Sequence, residues 1–236
     1  MQTVLNAVIA SDVRPQAAGT FFDKLPATAQ QDLLSLAHTS SFPSGIVLFG
    51  EKDPVSGVYM VVEGEIKLSM NSPEGKRLIM HIARKGEILG LPSALSGRPY
   101  EMTAETLYPA KVATVLRPDF LRFLTRYPEA YPIVTEELSR NYAMACDQLR
   151  TVGLSASAHE KLARLLLEWS ENGQTTERGT RCRFPLTHGE IGEFIGASRE
   201  TVTRTLSVFK SRHLIAFNGS MLMIPSRAAL EHYANS

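Results

Sequence analysis

Thr187-His-Gly-Glu-Ile-Gly-Glu-Phe-Ile-Gly-Ala-Ser-Arg-Glu-Thr-Val-Thr-Arg-Thr-Leu-Ser-Val-Phe209 is the stretch on which the reading of this chain turns. Thr187 and Glu190 stand at capping-box spacing and open a short helix whose apolar residues are Ile191, Phe194 and Ile195. Gly196 is a stop signal. Ser198 is a good N-cap for a second helix, in which Val202, Leu206 and Phe209 recur at spacings of four and three on one buried side. Two short helices joined by a glycine-containing turn make a helix-turn-helix unit.

With Val202 and Leu206 turned inward, Arg199, Glu200, Thr203 and Arg204 project from the remaining surface, and together with Ser198 and Thr201 at the helix start they are the candidate DNA contacts. Arginine donates two hydrogen bonds to guanine, glutamate accepts from cytosine N4, and threonine touches phosphate or a thymine methyl. From Arg199 to Arg212 four cations, including Lys210 and Arg212, stand against the single carboxylate of Glu200. That local excess attracts phosphate, and His188 is placed for a phosphate contact at the start of the first helix. Such charges taken alone make a solvated helical face with an ion pair worth a few tenths of a kcal/mol. The combination with two caps, a glycine turn and a following hairpin argues otherwise: Asn218-Gly219 lies between the apolar runs Leu214–Phe217 and Met221–Ile224, the pattern of a winged helix.

Working toward the N-terminus, Ser157-Ala-His-Glu160 opens another helix by capping-box spacing, with Leu162, Leu165, Leu166 and Trp169 on its core side and Glu171-Asn-Gly173 as its stop. Gly153 and Ser155-Ala-Ser-Ala158 form the expected hinge. Before it, Pro132 is suited to the first turn of a long helix ending near Gly153. Leu138, Tyr142, Ala145, Leu149 and Val152 give that helix a sustained apolar stripe, which packs on its own domain or on the same helix of a second subunit; dimerisation is the favoured reading. Between Phe42 and Leu116, short β-rich runs alternate with glycines, as in Gly57-Val-Tyr-Met-Val-Val, which indicates an antiparallel sandwich or barrel. Pro26–Ala37 reads as a helix.

The composition is that of an ordinary globular chain: 236 residues, 44% hydrophobic and 21% charged, enough for two domains. It has no transmembrane-length apolar run and no basic leader, so a soluble cytoplasmic protein is expected, with no membrane partner. A net charge of +1 and only two distant cysteines, Cys146 and Cys182, leave function to local patterns; free thiols are expected. No P-loop, nucleophile elbow or zinc signature is present, so no enzyme is indicated.

Leu186 to Arg204 closely resembles the signature of the Crp/Fnr regulators, and the β-roll and long helix extend the resemblance from about residue 20. It implies an α+β chain: an N-terminal arm (1–20), a cyclic-nucleotide-binding-like sensor β-roll (21–123), a dimerisation helix (124–153) and a winged helix-turn-helix (154–236). It implies a homodimer on double-stranded DNA, with Arg199, Glu200 and Arg204 reading a palindromic TGTGA-like site, and RNA polymerase as a further partner. Two recognition helices would enter major grooves about 34 Å apart.

The sensor departs from that family's cyclic-AMP-binding members. The residue after Gly90, which in them is a glutamate accepting from the ribose, is Leu91. The arginine that neutralises the phosphate is replaced by Met102, or by Glu101 in a gapless alignment, ahead of Thr103. The family's adenine-contacting pair on the long helix corresponds to Cys146 and Asp147, near Tyr142. Burying a phosphate without its cation is strongly unfavourable, so cyclic AMP is disfavoured and the effector is open. Arg98, between Gly97 and Pro99, reads as exposed. The N-terminal cysteine cluster of the iron-sulfur branch is absent. A haem or thiol sensor would have to draw on His81 or Cys146, and lone residues of these kinds more often pack than ligate, so haem is retained only as an alternative. Effector-independent binding with a vestigial pocket is another.

Overall fold

A computed structural model describes residues 20–154, 157–171 and 173–234. Nearly all of the expected arm, and Ser155 and Ala156 of the expected hinge, lie outside the described residues. The described residues form two compact units: those up to Met70 with Met80–Met144, and Asn71–Ile79 with those from Ala145 onward.

The described chain begins with α1 (Ala27–Leu36) and runs through strands β1 (His38–Phe42), β2 (Val47–Phe49), β3 (Gly57–Glu63), β4 (Ile66–Asn71), β5 (Arg77–Ala83) and β6 (Ile88–Leu89), with β5 belonging to the second unit as far as Ile79. A short helix α2 (Leu91–Ser96) leads to β7 (Thr103–Thr106) and β8 (Ala110–Leu116), then to α3 (Arg117–Arg126) and the long α4 (Ala130–Leu149). Two four-stranded sheets result, ordered β1-β8-β3-β6 and β2-β7-β4-β5. The alternation of a strand explains how β3 serves two cores. Val58, Met60 and Val62 face a cluster with Leu33, Phe120 and Phe123 from the helices. Val61 faces Phe49, Ile66, Ala104 and Val112 inside the roll.

In the second unit, α4 gives way to a π-helical turn (Arg150–Leu154). There follow α5 (Ala158–Trp169), β9 (Gln174–Thr176), β10 (Gly179–Arg183), α6 (His188–Ile195), α7 (Arg199–Ser211), β11 (Ala216–Asn218), β12 (Met221–Ile224) and α8 (Arg227–Ala234). Ser157 caps α5 by accepting from the Glu160 amide. Strands β11-β12-β10-β9 form one sheet, fastened to α5 where Trp169 donates its indole N–H to the Arg183 carbonyl at 2.7 Å. Asn218 pairs with Met221, so the hairpin loop is Gly219-Ser220 and not Asn218-Gly219. Gly219, with φ 57°, takes the first loop position, as in a II′ turn. No described helix is long and apolar enough to cross a membrane.

Candidate nucleic-acid interface and sensor segment

The capping box of α6 is complete: the Glu190 amide donates to Thr187 Oγ1 at 3.2 Å, and the Thr187 amide donates to Glu190 Oε2 at 3.0 Å. Gly196 ends the helix in the left-handed region (φ 66°, ψ 39°), where only a residue without Cβ sits freely. Two residues on, Ser198 Oγ accepts from the Thr201 amide and starts α7. Val202, Leu206 and Phe209 are buried as spaced, joined by Thr205, which the apolar pattern does not reveal. Their burial fixes the opposite face, where Arg199, Glu200, Thr203, Arg204, Lys210 and Arg212 are exposed.

These side chains are not equally free. Ser198 donates its hydroxyl to Thr201 Oγ1 at 3.1 Å, so both serve the cap. Thr203 Oγ1 donates to the Arg199 carbonyl and lies 2.8 Å from His188 Nδ1; with its one proton so used, His188 Nδ1–H is the donor. This bond joins the start of α6 to the first turn of α7. Lys210 sits over the Phe217 ring at 5.2 Å, and Arg212 lies over Tyr233 and donates to its hydroxyl. Arg199 and Arg204, in the first turns of α7, are the cations the described structure leaves most open to a groove.

The electrostatics agree with an anion-binding face. Lost hydration, then the Lys210 and Arg199 charges, hold His188 below the usual histidine range. Glu200 is held below the usual carboxylate range chiefly by its own backbone N–H, with Arg199 adding to it. It is therefore an ionised acceptor.

The segment Gly90–Ala104 is closed by its own side chains. Gly90, left-handed at φ 74°, faces Tyr100, whose Cε1 lies 2.9 Å from where a Cβ would stand. Tyr100 is buried and stacks on Phe49, ring centroids 4.1 Å apart. Its hydroxyl accepts from the Gly57 amide at 3.0 Å and donates to the Gly57 carbonyl at 2.8 Å. Leu91 is wholly buried in the apolar core, and Glu101 accepts from Ser93 Oγ at 2.8 Å. Thr103 is buried, accepting from the Glu51 amide, and Met102 is half-buried.

Arg98 is exposed, while Arg117 spends its Nε–H on the Ala94 carbonyl at 2.8 Å. Within Gly90–Ala104 the one cation, Arg98, is exposed, and Glu101 adds a carboxylate beside Ser93, so the residues of this segment do not fit cyclic AMP. The other sensor candidates lie elsewhere: Tyr142 is 73% exposed, Cys146 is a half-buried free thiol, and Asp147 pairs with Arg150. His81 Nε2 is 2.7 Å from Glu87 Oε2. Among the described residues no three His, Cys, Asp or Glu side chains gather in a way that could hold a metal ion.

Comparison with known proteins agrees with both units. Residues 160–233 match the Crp-like helix-turn-helix domain and residues 39–127 the cyclic nucleotide-binding domain. The transcriptional activatory protein AadR of Rhodopseudomonas palustris is 30% identical over 183 residues, covering 76% of this chain and 75% of that protein. The nitrogen fixation regulation protein FixK of Bradyrhizobium diazoefficiens is 29% identical over 206 residues, covering 86% and 85%. The solved structure of FixK2 from Bradyrhizobium japonicum superposes with a TM-score of 0.74 at 23% identity, over 84% of this chain and 96% of that one, a likeness of fold. The chain belongs to the Crp/Fnr family of DNA-binding transcription regulators.

Proposed function

We propose that the chain acts as a homodimer that places two copies of α7 in successive major grooves of a palindromic TGTGA-like site. The observation that carries this is the exposed set Arg199, Glu200 and Arg204 at the start of α7, on a helix whose other side is locked into the core. Arg199 and Arg204 supply the bidentate donors for guanine and Glu200 the acceptor for cytosine. His188, Lys210 and Arg212 contribute charge toward phosphates.

Dimerisation is supported by the long helix and the turn after it. Tyr142, Leu149 and Leu154 are 73%, 65% and 82% exposed. With Leu138, Ala145 and Val152, the first two continue a three-and-four spacing that suits a helix–helix seam, and Leu154 adds exposed apolar surface just beyond it. On DNA, the dimer would regulate transcription through contact with RNA polymerase.

An effector other than cyclic AMP would act at the β-roll. The buried Tyr100 favours a second reading, in which DNA binding needs no effector. Selection of bound duplexes from a random pool, with and without cell extract, tests both: symmetric paired half-sites are expected, and selection of unpaired or unrelated sequences would overturn the proposal. Equal selection without extract would support the effector-independent reading.

A further inference from the structure

Gln148 is the buried residue of the last turn of α4, with only 6% of its surface exposed, between the exposed Asp147 and Leu149. Both protons of its carboxamide nitrogen are used. Nε2 donates to the Ile79 carbonyl at 2.8 Å and to the Phe194 carbonyl at 2.7 Å. Phe194 lies in the last turn of α6, where the final carbonyls have no partner within the helix. The amides of Gly196 and Ala197 satisfy the Gly192 carbonyl. The Phe194 carbonyl is met from outside the helix, by Gln148.

A second contact reaches the same place. One turn beyond Gln148, Val152 lays its Cγ1 3.1 Å from the point where a Cβ on Gly196 would stand. Gln148, Val152, Ile79, Phe194 and Gly196 all belong to the C-terminal unit. Within it, the end of the long helix holds the last turn of α6 and the turn leading to α7. Two carbonyls aimed at one point repel each other, and a group that offers them two protons in a fork joins them. A primary amide does this without bringing a charge into a buried place.

We infer that Gln148 is a positioning residue for DNA reading: by joining the Phe194 and Ile79 carbonyls it sets the angle at which the helix-turn-helix turn presents α7. This rests on the reading that α7 enters DNA. Gln148→Leu keeps the packing and leaves both carbonyls unmet. Gln148→Glu places a carboxylate against them, and protonation restores one donor.

The test measures amide hydrogen exchange in the DNA-free chain, and affinity for the tightest duplex that the wild-type chain selects from a random pool. Gln148→Leu should speed exchange at the Gly196 and Ala197 amides and weaken duplex binding roughly tenfold, the scale of one lost buried hydrogen-bond partner. Gln148→Glu should bind more weakly still near neutral pH and recover as the pH falls toward about 5, while Gln148→Leu stays pH-insensitive relative to wild type. A role confined to folding would lower the unfolding temperature without changing the affinity of the folded fraction. Wild-type affinity in Gln148→Leu, unchanged exchange at Gly196 and Ala197, or a Gln148→Glu variant without recovery would overturn the inference. If the wild type selects no duplex, the DNA reading fails separately, and the exchange result alone decides whether Gln148 holds the turn.

Discussion

Gly196→Ala tests the geometry of the turn that sets the two helices of the DNA-reading unit. Gly196 is left-handed, a conformation that costs a residue bearing a Cβ about 1–2 kcal/mol. The stiffer unfolded chain of alanine returns about 0.4–1 kcal/mol of this. The new methyl would also press on Val152 Cγ1 at 3.1 Å, a contact that a small shift of the valine side chain can relieve. The net loss is therefore about 1 kcal/mol. The assay is urea unfolding followed by the fluorescence of Trp169, the only tryptophan of the chain, which lies in α5 and so reports on the C-terminal unit. With a denaturant slope of about 2 kcal/mol/M, the midpoint should fall by roughly 0.5 M. Gly196→Asn should lose less, because asparagine enters the left-handed region more readily. A midpoint at or above wild type for Gly196→Ala, or identical midpoints for the two variants, would refute the reasoning.

Other expectations concern the interface and the roll. Arg204→Ala should cost about 1–3 kcal/mol against the preferred site and relax discrimination at one base pair, and Glu200→Ala should relax a neighbouring pair. Lys210→Ala should instead weaken all duplexes alike and reduce the salt slope by about one, as titrations across ionic strength would show. His188, held low by lost hydration and by Lys210 and Arg199, is neutral in the free folded chain near neutral pH. A phosphate beside it would favour the charged ring, so duplex affinity should rise as pH falls from about 8 to 6 and flatten in His188→Gln. The same depressed value means that the unfolded chain binds the proton more readily, so the folded state loses stability as pH drops through the ordinary histidine range. Tyr100→Phe leaves the buried Gly57 amide and carbonyl without their partner and should destabilise the N-terminal unit by about 1–3 kcal/mol in calorimetric scans. Titration of the wild type with cyclic AMP should give no binding heat, and saturable binding would show that Tyr100 yields its place.

What the sequence revealed follows from how local each signal is. The caps at Thr187 and Ser198, the glycine stop at Gly196 and the spacing of Val202, Leu206 and Phe209 act over one or two helical turns, and all appear in the structure as read. Strand β9 is three residues, Gln174-Thr-Thr176, with no apolar alternation, and it exists because β10 offers it a partner. Tyr100 sits beside Gly97-Arg-Pro99, which reads as an exposed turn. Arg98 is exposed, but Tyr100 turns inward because Gly57 and Phe49, more than forty positions earlier, supply its hydrogen bonds and its stacking partner. Gln148 has no local signal at all, since its two acceptors lie 69 and 46 residues away. The exposed face of α7 is built from neighbours in the chain, whereas the burial of Tyr100 and the hydrogen bonds of Gln148 are built from long-range contacts that only the fold brings together.

The most direct measurement is fluorescence anisotropy of the wild-type chain on three duplexes at fixed salt and without added nucleotide. One carries two inverted TGTGA half-sites a helical turn apart, one has about five base pairs inserted between them, and one carries a single half-site. Two α7 helices in a dimer predict tight binding to the first duplex only, because half a turn of insertion rotates one half-site to the opposite side of the DNA. Equal affinity for all three duplexes would contradict that arrangement of the recognition helices.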